Sequence, residues 1–216
     1  MEAAWAAVCT LWSLGYSAAI FGGLACSLYG IERPPQDADI LVLPGYMWYA
    51  PDPESLKRAL VSMDPVHFYA RASKNPGATY RVLYYRRPEP GGFTCKVDIL
   101  LPGILHLPAL APAQIIWIEG LPVIPFALLL LQKLQAYDDH QRSLERHHFV
   151  RWEKDKADID ELLGIQARVR EVMDERPWAD RGLFSDEFMA LSARRVEDYA
   201  TRYECRAQWR DLGFAV

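Results

Sequence analysis

The sequence predicts an α+β protein, in which a mixed sheet flanked by helices is followed by a helical C-terminal region. Two observations support this fold class. Short runs rich in apolar, aromatic and β-branched residues, separated by glycine and proline, fill residues 1–124 and indicate strands that alternate with helices. Residues 125–216 instead carry long segments whose apolar residues recur at helical spacing. We therefore predict an α/β core at 1–124 and a helical region at 125–216.

The elements of the first half follow from local signals. Asp52 before Pro53 favours a helix start, because aspartate caps helix N-termini and proline suits the first turn. Glu119 and Gly120 separate two short apolar runs, as in a hairpin. The predicted elements are helix Ala3–Leu14, strand Ser17–Phe21, helix Leu24–Tyr29, strand Asp37–Leu43, helix Pro53–Met63, strands Val66–Ala70, Thr79–Arg86 and Phe93–Leu101, and the hairpin Ile115–Ile118 with Leu121–Ile124.

The second half is predicted to be helical throughout. The expected helices are Phe126–Tyr137, Lys154–Leu163, Gln166–Glu175 and Ser185–Arg210. One further stretch, Tyr46–Tyr49, is rich in aromatic residues and directly follows a predicted strand. It is suited either to wall a ligand pocket or to pack in the core.

Composition and charge exclude several classes of protein. The net charge of −4 and the 51% of hydrophobic residues indicate a globular chain and not a strongly basic nucleic-acid binder. Cys9, Cys26, Cys95 and Cys205 are widely spaced, so no zinc site or disulfide framework is indicated, and a reducing, cytoplasmic compartment fits. The apolar N-terminus has no basic start, and prolines interrupt the apolar stretch 99–131, so neither a signal peptide nor a membrane span is expected.

Two acidic residues begin one of the predicted strands. Asp37 and Asp39 are two positions apart, so their side chains point to the same face, about 7 Å apart along the chain. Carboxylates at this spacing repel one another, and a divalent cation with oxygen ligands relieves the repulsion. For this pair taken alone, a solvated strand end is the alternative.

Two further features lie on neighbouring elements. Gly22 and Gly23 follow the first strand, and paired glycines let the backbone approach a phosphate closely, although such a pair is often only a turn. Asp98 is a single acid inside an otherwise apolar strand. A lone carboxylate in a buried strand is unfavourable unless it is paired or bound to a metal. The alternative is an edge strand from which Asp98 faces solvent.

Taken together, these residues resemble the nucleotidyltransferase superfamily, which includes DNA polymerase β, kanamycin nucleotidyltransferase and the toxin-type minimal nucleotidyltransferases. Its members carry a glycine-glycine or glycine-serine turn, an acid-x-acid strand and a single acid on a later strand. The matching residues are Gly22-Gly23, Asp37-x-Asp39 and Asp98. Gly23 departs from the serine of many members, which leaves only backbone groups to contact a phosphate there.

The resemblance extends beyond these motifs and covers roughly residues 15–165. Arg33 matches an arginine that often precedes the acid pair. Family members often have, after the sheet, a helix that starts after a proline and contains an inward-facing lysine, and Pro125 and Lys133 match this helix. A second helix of the family is matched by the run Lys154-Asp155-x-x-Asp158.

The resemblance implies a nucleotidyltransferase-like fold and metal-dependent transfer of a nucleoside monophosphate from an NTP to a hydroxyl group. Asp37 and Asp39 would hold Mg²⁺ or Mn²⁺ on the triphosphate, and Asp98 would join a second ion and act as the base. The residues expected to bind the nucleotide are Gly22, Gly23, Arg33, Lys133 and Lys154. Lys133 is expected to neutralise the pyrophosphate; the alternative is that it pairs with an acid such as Asp155 or Asp158.

Other functions stay open at this level. The chain could bind a nucleotide or a partner on this fold without catalysis, or it could use the metal cleft for unrelated chemistry. Three convergent acids favour the enzyme, because a binding module does not need them. The acceptor could be a small molecule, a protein or RNA, and no membrane partner is expected.

Overall fold

The computed structural model describes residues 1–43, 52–75, 77–143, 149–165 and 177–216. The chain divides into two compact units, Met1–Ile124 and Pro125–Val216. The predicted helix Gln166–Glu175 and the aromatic stretch Tyr46–Tyr49 lie outside the described residues. Within the described ranges, none of the helices combines the length and the apolar character that crossing a membrane requires.

The first unit alternates strands with helices, as the sequence predicts. Its elements are α1 (Glu2–Ser13), β1 (Ser17–Phe21), α2 (Gly22–Leu28), β2 (Asp37–Leu43), α3 (Pro53–Met63), β3 (Phe68–Ala72), β4 (Arg81–Arg86), β5 (Thr94–Leu100), β6 (Ile116–Ile118) and β7 (Leu121–Val123). Short 3₁₀ turns cover Ile104–His106 and Pro112–Gln114. Asp52 caps α3 by accepting a hydrogen bond from the Ser55 backbone N–H, so this helix begins where the capping signal predicts.

The strands of the described residues form one seven-stranded sheet in the order β3-β4-β5-β2-β1-β7-β6. The β2–β5 and β1–β7 pairs are parallel and the others antiparallel, which confirms the predicted mixed sheet. On one face the side chains are buried, among them Ile40, Leu83 and Val97. Helix α1 lies against this face, where Glu2 accepts a hydrogen bond from the hydroxyl of Tyr85. The opposite face carries Asp37, Asp39 and Asp98, since side chains alternate along each strand.

The second unit is helical. It contains α4 (Phe126–Arg142), α5 (Phe149–Gly164), a 3₁₀ turn at Pro177–Ala179, α6 (Asp186–Arg202) and α7 (Arg206–Asp211). The single helix predicted over Ser185–Arg210 is wrong, because the chain breaks at Glu204, whose φ of 54° is left-handed. After this break Trp209 is fully buried and packs against the rings of Tyr199 and Phe214.

Candidate active site

The three predicted acids meet on one face of the central strands. Asp39 of β2 stands directly opposite Asp98 of β5 in the parallel register, and Asp37 lies two residues before Asp39 on the same face. One oxygen atom from each half-buried carboxylate lies within 4.8 Å of the other two. The predicted convergence is therefore confirmed. The alternative that placed Asp98 on an edge strand is wrong, because β5 pairs with β4 on one side and β2 on the other.

The donor set of this triad fits a divalent cation. Carboxylate oxygens are the ligands that Mg²⁺ and Mn²⁺ prefer. Oxygens about 2.1 Å from a common Mg²⁺ are at most about 4.2 Å apart, so the spread of up to 4.8 Å needs only small side-chain rotations. Asp37, Asp39 and Asp98 are the side chains that would hold the ion, and its identity stays a prediction.

A lysine lies beside the triad. The ammonium group of Lys96 forms an ion pair with Asp98, two residues away on the same strand face. Burial alone would lower the pKa of Lys96, but the hydrogen bond to Asp98 and the charges of Asp98, Asp37 and Asp39 outweigh it, so the pKa is raised. Lys96 is not among the residues predicted above, although its spacing from Asp98 places the two side chains together.

The charges of the triad and Lys96 set what the site attracts. Three carboxylates and one ammonium leave a formal charge of −2, and the nearby Arg33 guanidinium reduces the negative charge further. Any second cation would need negative charge from elsewhere, such as the oxygens of a triphosphate. The site is therefore suited to a metal–nucleotide complex more than to two metal ions alone.

The glycine turn touches the triad directly. Phe21, the last residue of β1, pairs with Asp39, so the turn begins next to this acid. Gly22 has a φ of +65°, and a Cβ at this position would lie 2.0 Å from Asp39 Oδ2 and 2.8 Å from Asp39 Cγ. A side chain here would thus displace the carboxylate as well as strain the backbone.

The predicted arginine reaches the same turn. The Nη2 atom of Arg33 lies 3.5 Å from the point that a Cβ of Gly23 would occupy. Without a side chain at Gly23, the guanidinium group and the turn backbone lie side by side. This arrangement offers N–H donors and a positive charge next to the acids, which suits phosphate oxygens.

One cysteine lies close to the site but does not fit a metal ligand. The Cys95 thiol hydrogen-bonds to the carbonyl oxygen of Lys96. Burial raises the pKa of this thiol, and the charges of Asp37 and Asp39 raise it further. Cys95 lies two residues before Val97 on β5, so its side chain belongs to the face opposite the triad and does not fit as a ligand there.

In the second unit, the predicted lysine has acidic partners. Lys133 is buried in α4, and its Nζ atom lies 2.8 Å from Asp158 Oδ2 and 3.4 Å from Asp155 Oδ1. Asp155 also contacts His140, with 2.7 Å between its Oδ2 and the His140 Nδ1. Lys133 therefore pairs with acids, as the alternative to pyrophosphate binding predicted. Its contact with pyrophosphate stays a prediction. Lys154 is half-buried on α5, and its role also stays a prediction.

Comparison with solved structures identifies the fold. The crystal structure of an antigenic nucleotidyltransferase-like protein from Paracoccidioides brasiliensis matches with a TM-score of 0.61, over 98% of this chain and 91% of that one. The chain has a nucleotidyltransferase-like fold. At 16% sequence identity, this likeness shows the fold alone. No protein-family model matches the sequence. No curated protein matches it either.

Proposed function

We propose that the protein transfers a nucleoside monophosphate from an NTP to a hydroxyl group of an acceptor, with Mg²⁺ or Mn²⁺ bound at the acidic triad. The observation that carries this proposal is the convergence of Asp37, Asp39 and Asp98 beside the glycine turn on a nucleotidyltransferase-like fold. The enzyme class rests on the likeness of fold, and the substrate on the chemistry of the site.

Each part of the site has a role in this reaction. A divalent ion on the triad would stabilise negative charge on the reacting phosphate and on the leaving oxygen. Without a side chain, Gly22 leaves room for the Asp39 carboxylate and Gly23 lies beside the Arg33 guanidinium, and the backbone of this turn is proposed to contact phosphate oxygens. Lys133 and Lys154 are further candidates for contact with the phosphates, as the resemblance implies.

In this proposal Asp98 acts as the base. The acceptor oxygen attacks the α-phosphorus, its proton passes to the Asp98 carboxylate, and the bond to the bridging oxygen breaks, so that pyrophosphate leaves. Lys96 holds Asp98 in position and lies next to the charge that develops during attack. A base needs to come within hydrogen-bond distance of the attacking hydroxyl, which the half-buried position of Asp98 allows.

A direct experiment tests this proposal. The protein is incubated with each NTP, labelled in the α-phosphate, with Mg²⁺ or Mn²⁺ and a cell extract, and released pyrophosphate and labelled products are measured. The variant Asp39→Asn should abolish both signals, whereas Glu89→Gln, an exposed acid of the same unit, should not. Equal transfer by wild type and Asp39→Asn would overturn the assignment of the triad.

Binding is measured on the same preparations. A metal–NTP complex should raise the melting temperature of the wild type by mass action. Asp37→Asn and Asp39→Asn should fold normally, because they remove repulsion between carboxylates, and should lose this increase. A binder that does not catalyse would show the increase in melting temperature without labelled products.

A further inference from the structure

The face of the sheet that carries the triad continues past Asp98 onto β4 and β3. Lys96 pairs with Tyr84 of β4, and Tyr84 pairs with Tyr69 of β3, so these side chains form one row. Arg71 and Arg86 lie two residues from Tyr69 and Tyr84 and share their face. We call Tyr69, Arg71, Tyr84 and Arg86 the Tyr–Arg cluster.

The two faces of this part of the sheet differ sharply in exposure. Phe68, Leu83 and Tyr85, on the opposite face, are buried. Within the cluster, both tyrosines are half-exposed and both arginines are exposed. Along the middle of β3 and β4 the opposite face packs in the core, although Ala72 and Arg81 at the strand ends are exposed on it, so the face with the cluster is the more open to a ligand or to solvent.

The cluster is organised by stacking. The rings of Tyr69 and Tyr84 are stacked, with their centroids 5.5 Å apart and an angle of 16° between their planes. The Arg71 guanidinium lies 5.0 Å from the Tyr69 ring and 5.9 Å from the Tyr84 ring, and that of Arg86 lies 5.5 Å from Tyr69. Two guanidinium groups thus make three contacts with these two rings.

The positive charge of the cluster is not neutralised within the described part of the chain, where no carboxylate forms an ion pair with Arg71 or Arg86. Arg86 donates its Nε and Nη2 hydrogens to the carbonyl oxygens of Val66 and Pro65, which hold the guanidinium in place without cancelling its charge. Two guanidinium groups over two aromatic rings favour a ligand that is itself both anionic and aromatic.

The order of the strands places this cluster on the side of Asp98 that is away from the glycine turn. Along the sheet, the glycine turn after β1 comes first, then Asp39 on β2, Asp98 on β5, and finally the cluster on β4 and β3. Neighbouring strands are about 4.8 Å apart, so Tyr84 is one strand from Asp98. Phosphates of an NTP bound at the glycine turn would lie on one side of Asp98, and the cluster lies on the other side.

We propose that the Tyr–Arg cluster binds the acceptor, and that the acceptor is a phosphorylated nucleoside, either free or at the end of a strand. This inference rests on the proposed function. The base stacks on the tyrosine rings, a phosphate pairs with Arg71, and the ribose hydroxyl points toward Asp98. A neutral sugar or an uncharged peptide would leave both guanidinium groups without an anionic partner.

The test measures acceptor binding without NTP or metal. AMP and a hexa-adenylate with a free 3′ hydroxyl serve as probes in titration calorimetry at low salt. Tyr84→Leu should weaken binding about five- to 150-fold, the range for loss of a stacked base. Arg71→Gln should weaken it about ten- to 150-fold, the range for loss of a hydrogen bond between charged groups. Arg81 is an exposed arginine of β4, the strand of Tyr84, but its side chain belongs to the opposite face of the sheet. Arg81→Gln should therefore change the affinity less than twofold. Tyr84→Phe keeps the ring and should bind like the wild type.

The outcomes distinguish a free nucleotide from a strand end, and they distinguish failure of this inference from failure of the proposed function. Tighter binding of hexa-adenylate than of AMP supports a strand end, and equal affinity supports a free nucleotide. Absence of binding to the wild type, or equal losses in Arg71→Gln and Arg81→Gln, overturns the inference. The metal-dependent increase in melting temperature with NTP should persist in Arg71→Gln. Its loss would show that the cluster binds the NTP and not the acceptor, and would also overturn the inference. If Asp39→Asn leaves that stabilisation intact, the proposed function fails, and the acceptor titrations still report on the cluster.

Discussion

Replacement of Gly22 by alanine tests the geometry of the site with a single methyl group. Gly22 adopts a φ of +65°, and the new Cβ would fall 2.0 Å from Asp39 Oδ2 and 3.1 Å from Asp39 Cβ. The contact with Asp39 Cβ means that a rotation of the carboxylate alone relieves only part of the clash. We therefore expect Gly22→Ala to move Asp39 away from Asp37 and Asp98, and to weaken metal binding.

Gly15→Ala is a matched control for the backbone. Gly15 also has a positive φ, of +84°, but a Cβ there meets nothing within 4 Å. An L-residue in the left-handed region costs about 1–2 kcal/mol, or roughly 2–8 °C in melting temperature for a chain of this size. Both variants bear this cost, and both gain equally from the reduced freedom of the unfolded chain. Only Gly22→Ala also disturbs Asp39.

The assay is thermal unfolding of both variants with increasing Mn²⁺. At 100 times the dissociation constant, a bound ion stabilises the folded state by about 2.7 kcal/mol. The Mn²⁺-dependent increase in melting temperature should persist in Gly15→Ala and largely disappear in Gly22→Ala. If Gly22→Ala binds Mn²⁺ as tightly as Gly15→Ala does, Asp39 is not a ligand and the reasoning is refuted.

Three further substitutions probe the charges. Lys96→Met removes the cation beside the triad, so calorimetry should show Mn²⁺ binding that is tighter by at least about fivefold, roughly 1 kcal/mol. Lys74→Met, a control in an exposed loop, should leave the Mn²⁺ affinity unchanged. Asp98→Asn should lower transfer of nucleoside monophosphate about 10²–10⁴-fold, and an active variant would exclude this residue as the base. Lys133→Ala breaks the buried ion pair with Asp158, so urea unfolding should show a loss of about 3–5 kcal/mol. A stable Lys133→Ala variant with normal transfer would remove Lys133 from both the structural and the catalytic roles.

The sequence by itself determined the local features of this protein. The bounds of β1, β2 and α3 agree with those predicted, because short apolar runs, a capping aspartate and a proline act over a few neighbouring residues. The shared face of Asp37 and Asp39 also follows from strand alternation alone. The resemblance then indicated that Asp98 belongs with them.

Only the tertiary structure decided which distant residues meet. A shift of one residue in the β2–β5 register would turn Asp98 away from Asp39, and no local signal sets this register. The break at Glu204 is likewise followed by the buried Trp209, and burial is a tertiary contact that local helix propensity does not report. Lys96 and the Tyr–Arg cluster become part of one surface because β3, β4, β5 and β2 are neighbours in the sheet. Pairing between strands depends on packing across the whole sheet, whereas the signals in the sequence are local.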